Sequence, residues 1–262
     1  EVFDNDEING SKKSKSKTFE FQAPTTDEIK YAYEEKSESL KEQLGENVEL
    51  AKELQKDFRH LKKKLLQKEE LSWEDKQMFN EVLEKQKKLE KNIEQISLRN
   101  KEKNTLMKEF TEQDKRILEK QNQLEELMDE LMSDEMRALF NEMDQLMEEM
   151  NSEEWMEKLE DLQMSNEDLE KELDRNLEML KKFEFDQALD NAVDQMQIIK
   201  EEQAALNKAT NERTEDFLDI AEKQKKINDS FKKLSEELEA LREQNDALEN
   251  KENLSDTKDL EQ

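Results

Sequence analysis

Apolar residues recur along this chain in alternating steps of four and three. From Val82 the positions run Val82, Gln86, Leu89, Ile93, Ile96, Asn100, Lys103, Met107, Phe110, Asp114, Ile117, Gln121, Leu124, Met128 and Leu131. Such a series lies along one stripe of an α-helix, and sustained this long it predicts a coiled-coil seam. Leu83, Leu98, Leu106, Leu118 and Leu127 widen the stripe, which predicts packing against more than one helix. A second series, Leu169, Leu173, Asn176, Leu180 and Phe183, slips near Phe185, where the repeat carries a stutter. It resumes as Leu189, Ala192, Met196, Ile199, Gln203, Leu206, Thr210, Arg213, Phe217, Ile220 and Gln224, and continues to Leu248.

Start signals divide this pattern into elements. Thr25 and Glu28 stand at capping-box spacing after Pro24, and Ser72 with Asp75 repeats the arrangement. They predict a first helix from residue 26 to about 70, with a kink or break at Gly45, and a second from Ser72 through Leu131. Ser133 and Ser152, each followed by acid, predict short helices over 134–150 and 153–163. Ser165-Asn166-Glu167-Asp168 predicts the start of the last long helix, and the polar tail past Leu248 is expected to fray. At 1.5 Å per residue the two long helices would measure roughly 90 and 120 Å. Caps between long seams favour antiparallel pairing of the first helix with the second. The turning region is residues 124–164, which holds eight of the twelve methionines.

Residues 1–23 read differently. Val2-Phe3 and Phe19-Glu20-Phe21 have strand character, Asn9-Gly10 is a turn signal, and residues 11–17 are a basic, serine-rich stretch expected as a solvated loop. Two strands bury no hydrophobic face unaided, so they are expected to be a β-hairpin remnant of an upstream β-domain. Asp4, Asp6 and Gly10 miss an EF-hand loop, because the glycine falls one place late and no glutamate closes it. The expected fold is thus all-α: an elongated antiparallel coiled-coil or helical bundle arm over 24–262, preceded by that hairpin.

Composition narrows the class. Charged residues are 44% and apolar ones 32%, too few to fill a wide core, while two glycines and one proline suit helices rather than sheets. A net charge of −28 opposes nucleic acid and anionic membrane surfaces. No apolar run reaches the roughly 18 residues that span a bilayer, so no direct membrane contact is expected of this segment. The absence of cysteine removes thiolate chemistry.

Candidate chemistry is sparse. His60, the only histidine, sits in a helical pattern before three lysines and reads as a surface or seam residue. No glycine-rich phosphate loop or activated nucleophile appears, so neither an enzyme nor any metal or cofactor is expected. Gln86, Asn100, Lys103, Asp114 and Gln121 are polar at seam positions, where they fix register or offer a docking site for another helix. The methionine cluster reads either as core filling an irregular corner or as an adaptable groove for apolar helices. With Phe140 and Trp155 beside Met136, Met143, Met147 and Met150, it is the expected contact region for a protein partner or client, while a second copy would associate through coiled-coil packing.

EVFDNDEING, FEFQAPTTDEI, LSWEDKQ, LMSDEM and MSNEDLEKELDRNLEMLKKFEFDQAL resemble an uncharacterised family of large membrane-anchored coiled-coil proteins of Bacteroidota, defined only as a domain of unknown function. The resemblance is most specific over 164–189. It implies transmembrane helices and β-sandwich material upstream of Glu1, and a place on the periplasmic side of the inner membrane. It supplies no activity and no catalytic residues. The expected role is a non-enzymatic structural or interaction module; the alternative is a holdase-like module that grips apolar segments through the methionine-rich end.

Overall fold

The computed structural model describes residues 2–3, 13–15, 17, 24–66, 72–110, 115–131, 136–139, 152–214 and 216–254. Apart from one two-residue strand pair, these residues form an all-α structure. The helices are α1 (Thr26–Leu65), α2 (Trp73–Phe110), α3 (Lys115–Glu130), α4 (Ser152–Glu212) and α5 (Phe217–Asp246), with a short helical piece at 136–139.

Both capping boxes form. The Thr25 N–H donates to Glu28 Oε2 at 2.8 Å and the Glu28 N–H to Thr25 Oγ1 at 3.3 Å. The Ser72 N–H donates to Asp75 Oδ2 at 3.0 Å and the Asp75 N–H to Ser72 Oγ at 3.3 Å. Each cap satisfies amides a helix start leaves open, a contribution of about 1 kcal/mol.

α1 lies antiparallel to α2, as three cross-helix contacts show: Lys85 to Asp57 at 2.7 Å, Asn92 to Asn47 at 2.8 Å, and Lys103 to Ser37 at 3.3 Å. α4 runs antiparallel to α1, with Asn166 Nδ2 donating to the Ala51 carbonyl at 2.9 Å and Lys41 pairing with Glu184 at 2.9 Å. α3 folds back along α2 through Lys101–Asp129 (2.7 Å) and Asn104–Glu125 (3.1 Å). One core joins the four: Leu40, Leu44, Leu54 and Phe58 meet Leu89, Ile93, Ile96, Met128, Leu159, Leu173 and Leu180, each at most 1–2% exposed. A second core, Phe185, Ala192, Leu234, Leu241 and Leu248, joins α4, α5 and the segment just after α5. The stutter near Phe185 is where α4 changes partner, from α1 to α5. A phase slip rotates the apolar stripe to face a new neighbour.

Several expectations need correcting. The helix predicted from Ser72 to Leu131 stops at Phe110 and reverses into α3. The linker keeps the heptad in phase, so periodicity alone reads one helix. The last long helix is interrupted at Arg213, with φ of 52°, and reverses into α5, whose first turn Asp216 caps through the Phe217 N–H at 2.8 Å. Conversely, no break occurs at Ser165. α4 is one 61-residue helix of about 92 Å, and α2, at 38 residues, spans about 57 Å. Leu159, Leu162, Asn166 and Leu169 are all buried at three-four spacing, and that stripe overrides the local capping signal.

Gly45 does not end α1, which is continuous from Thr26 to Leu65; burial of Leu40, Leu44, Val48 and Ala51 outweighs the roughly 1 kcal/mol a helical glycine costs. Residues after Leu248 are tied down as far as Leu254 rather than frayed: Asn245 Nδ2 donates to the Glu252 carbonyl at 2.9 Å and the Glu249 N–H to Glu178 at 3.2 Å. In the N-terminal segment Val2–Phe3 pairs antiparallel with Lys13–Ser14, so part of the expected loop is strand. The three lysines Lys13, Lys15 and Lys17 are exposed, as suits an edge strand. Residues 9–10 and 19–21 lie outside the described residues.

Candidate functional site

The six residues expected at the contact region are only partly described. Met136 is buried at 8% exposure, in the first core with Met128 and Leu131. Its short helical piece is held near α2 by Arg137–Glu94 at 3.9 Å. Trp155 falls in the first turn of α4, with its side chain outside the described set. Phe140, Met143, Met147 and Met150 lie outside the described residues. Met164 is 67% exposed. The cluster therefore divides, with Met128 and Met136 in core and Met164 facing solvent.

The polar seam residues lead to a second region. Gln86, Asn100, Lys103 and Gln121 are all nearly inaccessible; Asp114 lies outside the described residues. Lys103 is the informative one. At 1% exposure its ammonium donates to Ser37 Oγ at 3.3 Å and stands 5.1 Å from the Tyr33 ring centroid. Ser37 Oγ donates in turn to one oxygen of Glu184, and Lys41 holds the other at 2.9 Å and Glu38 at 2.6 Å. Two lysines are thus balanced by two carboxylates.

Burial pulls the Lys103 ammonium down to about 8; Glu184 opposes that shift and Lys41 adds to it. Burial also pushes the Tyr33 hydroxyl up, with Glu184 acting in the same sense. That hydroxyl approaches the Gln121 amide without reaching hydrogen-bond geometry. Burial pulls Lys41 down, but hydrogen bonds to Glu38 and Glu184 outweigh it and the group ends raised.

A serine beside a lysine of lowered pKa invites a comparison with nucleophilic dyads. Ser37 stands in the middle of α1, where backbone amides are committed to the helix and none is left to receive an oxyanion. Its hydroxyl proton is directed at Glu184. The arrangement conveys charge balance and register, not nucleophilic chemistry.

Ser37, Lys41 and Glu184 border a cleft of about 560 Å³ between the start of α1 and α4, floored by Ile29, Ala188 and Ile198. A cleft of about 660 Å³ lies between α3, α4 and the segment after α5. Its central carboxylate, Asp186, is raised by burial, but hydrogen bonds from Lys120 and Lys182 hold it below the usual range. No protein-family model, no curated protein and no solved structure matches this chain. Among the described residues no group of ligating side chains could hold a metal, and no helix is long and apolar enough to cross a membrane. His60 is exposed on α1.

Sequence reasoning singled out Lys103 but not its partners Tyr33, Ser37, Lys41 and Glu184. A signal was present: Ile29, Tyr33, Ser37, Leu40, Leu44 and Val48 recur at steps of four and three along α1, and all are buried.

Proposed function

We propose that the chain is a non-enzymatic structural and interaction module, an acidic coiled-coil arm that presents a contact region to a protein partner. The observation that carries this reading is how the interior is used. α1, α2 and α4 run alongside one another over a core in which several polar groups pair across helices: Asn47 with Asn92, Ser37 with Lys103 and Glu184, and Asn166 with the Ala51 carbonyl. Interior polar pairs of this kind set register and give a defined rod. The family resemblance adds a setting to this proposal: a membrane-anchored envelope protein, with the arm on the periplasmic side and the strand pair belonging to an upstream β-domain.

The holdase-like alternative rests on the solvent-facing Met164. Burial of Met128 and Met136 favours the scaffold reading over it. The deciding experiment is partner capture by proximity labelling from the arm, comparing the parent chain with a Met147→Glu/Met150→Glu variant. A contact region loses labelled partners while helicity by circular dichroism stays unchanged. Lost helicity, or a markedly lower melting point with labelling intact, places these methionines in the core and overturns the contact assignment.

A further inference from the structure

The reversal between α4 and α5 is made without the residues that usually break a helix. Residues 210–217 hold neither glycine nor proline. The helical register runs through them without a slip, as Leu206, Thr210, Arg213, Phe217, Ile220 and Gln224, at steps of four and three. The turn is made instead by Arg213, whose left-handed φ of 52° is a conformation that favours glycine. The Ala209 carbonyl supports it, accepting from the Thr214 N–H at 3.1 Å and the Thr214 hydroxyl at 3.4 Å. Asp216 then caps α5 through the Phe217 N–H at 2.8 Å. Phe217 and Leu218, in the first turn beyond, are left 78% and 73% exposed.

The surfaces that meet within this hairpin fit equally well between two chains. Gln224 pairs with Gln203 at 2.9 Å and Gln195 with Glu237 at 3.0 Å, and the midpoint of this register falls at the reversal itself. When the reversal opens and α4 runs on into α5, two such helices laid antiparallel recover those pairs, each α4 against the second copy's α5. Ile227, Leu234, Leu241 and Asn245, the buried residues of α5, keep the same face turned to α4. The exchange also adds a contact, because the two straightened segments cross at the two-fold axis. There the seam position Phe217 of each chain faces the second copy's Arg213, and its ring gains cover that the hairpin denies it. Residues 193–233 carry eight Lys and Arg against nine Asp and Glu, so the crossing meets little net repulsion.

We propose that the chain forms a two-fold dimer by exchange of α5. In it α4 and α5 join as one helix from Ser152 to Asp246, about 140 Å long, and each α5 packs on the second copy's α4. The occupant follows from the fold, since the surface that covers α4 in the exchanged state is the one that covers it in the hairpin. Closed monomer and exchanged dimer share that interface, so the connection decides between them. Opening it releases the left-handed Arg213 and commits the turn's backbone groups to helical hydrogen bonds, at the loss of the Asp216 cap.

The exchange goes beyond the methionine-rich contact region and does not depend on it. The test is to unfold the full chain, refold it at high concentration so that hairpins can open, and separate the products by size exclusion; a monomer and a dimer are expected. The chain has no cysteine, so Gln203→Cys with Gln224→Cys places a single reporter pair across the α4–α5 interface. Oxidised in the dimer fraction, this pair links two chains covalently on a denaturing gel; in the monomer fraction it closes within one chain. Asp216→Ala removes a cap that only the hairpin uses and raises the dimer association constant about tenfold. Arg213→Gly eases the left-handed turn, disfavours the continuous helix and lowers that constant about tenfold. Met147→Glu/Met150→Glu leaves the dimer unchanged, so failure of the partner-contact reading is distinguishable from failure of this one. A chain that refolds only to monomer at every concentration overturns the proposal. So does a dimer whose reporter pair closes only within chains, or one that Asp216→Ala and Arg213→Gly do not shift in opposite directions.

Discussion

Lys103 shows how much one interior residue constrains. An ammonium buried beside Tyr33 and Ser37 keeps its charge at neutral pH only at a cost, which is why burial lowers it to about 8. Unfolding returns it to the ordinary lysine range near 10.4. Between those values the unfolded chain holds more protons than the folded one, so stability rises with pH across that window. By about pH 9.5 the gain over neutral pH is about 2 kcal/mol. Lys41, Lys52, Lys85, Lys101 and Lys182 are all raised, so their contributions persist through this window and fall away above it. Urea unfolding at about pH 7.5 and pH 9.5 measures the effect. Lys103→Met removes the pH gain and stabilises the chain by about 1–3 kcal/mol at neutral pH, because a buried ion is exchanged for apolar packing while Glu184 keeps Lys41 and Ser37. A Lys103→Met chain with the parent's pH profile would show that another group titrates.

At the scale of the helix, two backbone positions invite substitution. Gly45 lies inside α1 and a Cβ built there meets nothing within 4 Å. Gly45→Ala is therefore expected to stabilise by about 0.5–1 kcal/mol in chemical denaturation. Loss of stability would mean the open space is needed. Arg213 holds a left-handed φ of 52° at the reversal between α4 and α5, a conformation that favours glycine. Arg213→Gly is expected to gain about 0.5–1 kcal/mol without altering helix content.

These two positions also show what could be read in the sequence. The stripes of α2 and α4 and the capping boxes at Thr25 and Ser72 were legible, because periodicity and caps are local. The reversals from α2 to α3 and at Arg213 were not. Each keeps the seam in phase, and a stripe carries no record of whether the helix beneath it has turned back. Gly45 and Ser165 misled in the opposite direction, since tertiary burial of Leu44 and Asn166 outweighed a local breaker. Of the candidate site, Lys103 announced itself as a cation on an apolar stripe. Glu184 looked like any other surface acid, because its partners sit 147 and 143 residues away on α1.

For the whole molecule, charge and shape dominate. A net −28 makes self-repulsion a destabilising force, and salt screens it. Raising sodium chloride from about 0.05 to 0.5 M is expected to lift the melting temperature by several degrees. A falling value would show that the surface ion pairs outweigh the repulsion. α4 alone is about 92 Å long. Small-angle scattering of the monomer should accordingly give a radius of gyration well above the roughly 18 Å of a compact chain of this length.

α4 is shared between two hydrophobic cores that divide near Phe185. α5 packs on α4 through the smaller core, the buried Ile227 and hydrogen bonds such as Gln195 to Glu237. Tension applied to the end beyond Leu254 would meet first the clasp of Glu249 and Glu252 on Glu178 and Lys182, then peel α5 from α4 one turn at a time. The body formed by α1 to α4, loaded along its length, would have to shear whole ranks of side chains at once. The hairpin would therefore yield as a soft extension while the body still held.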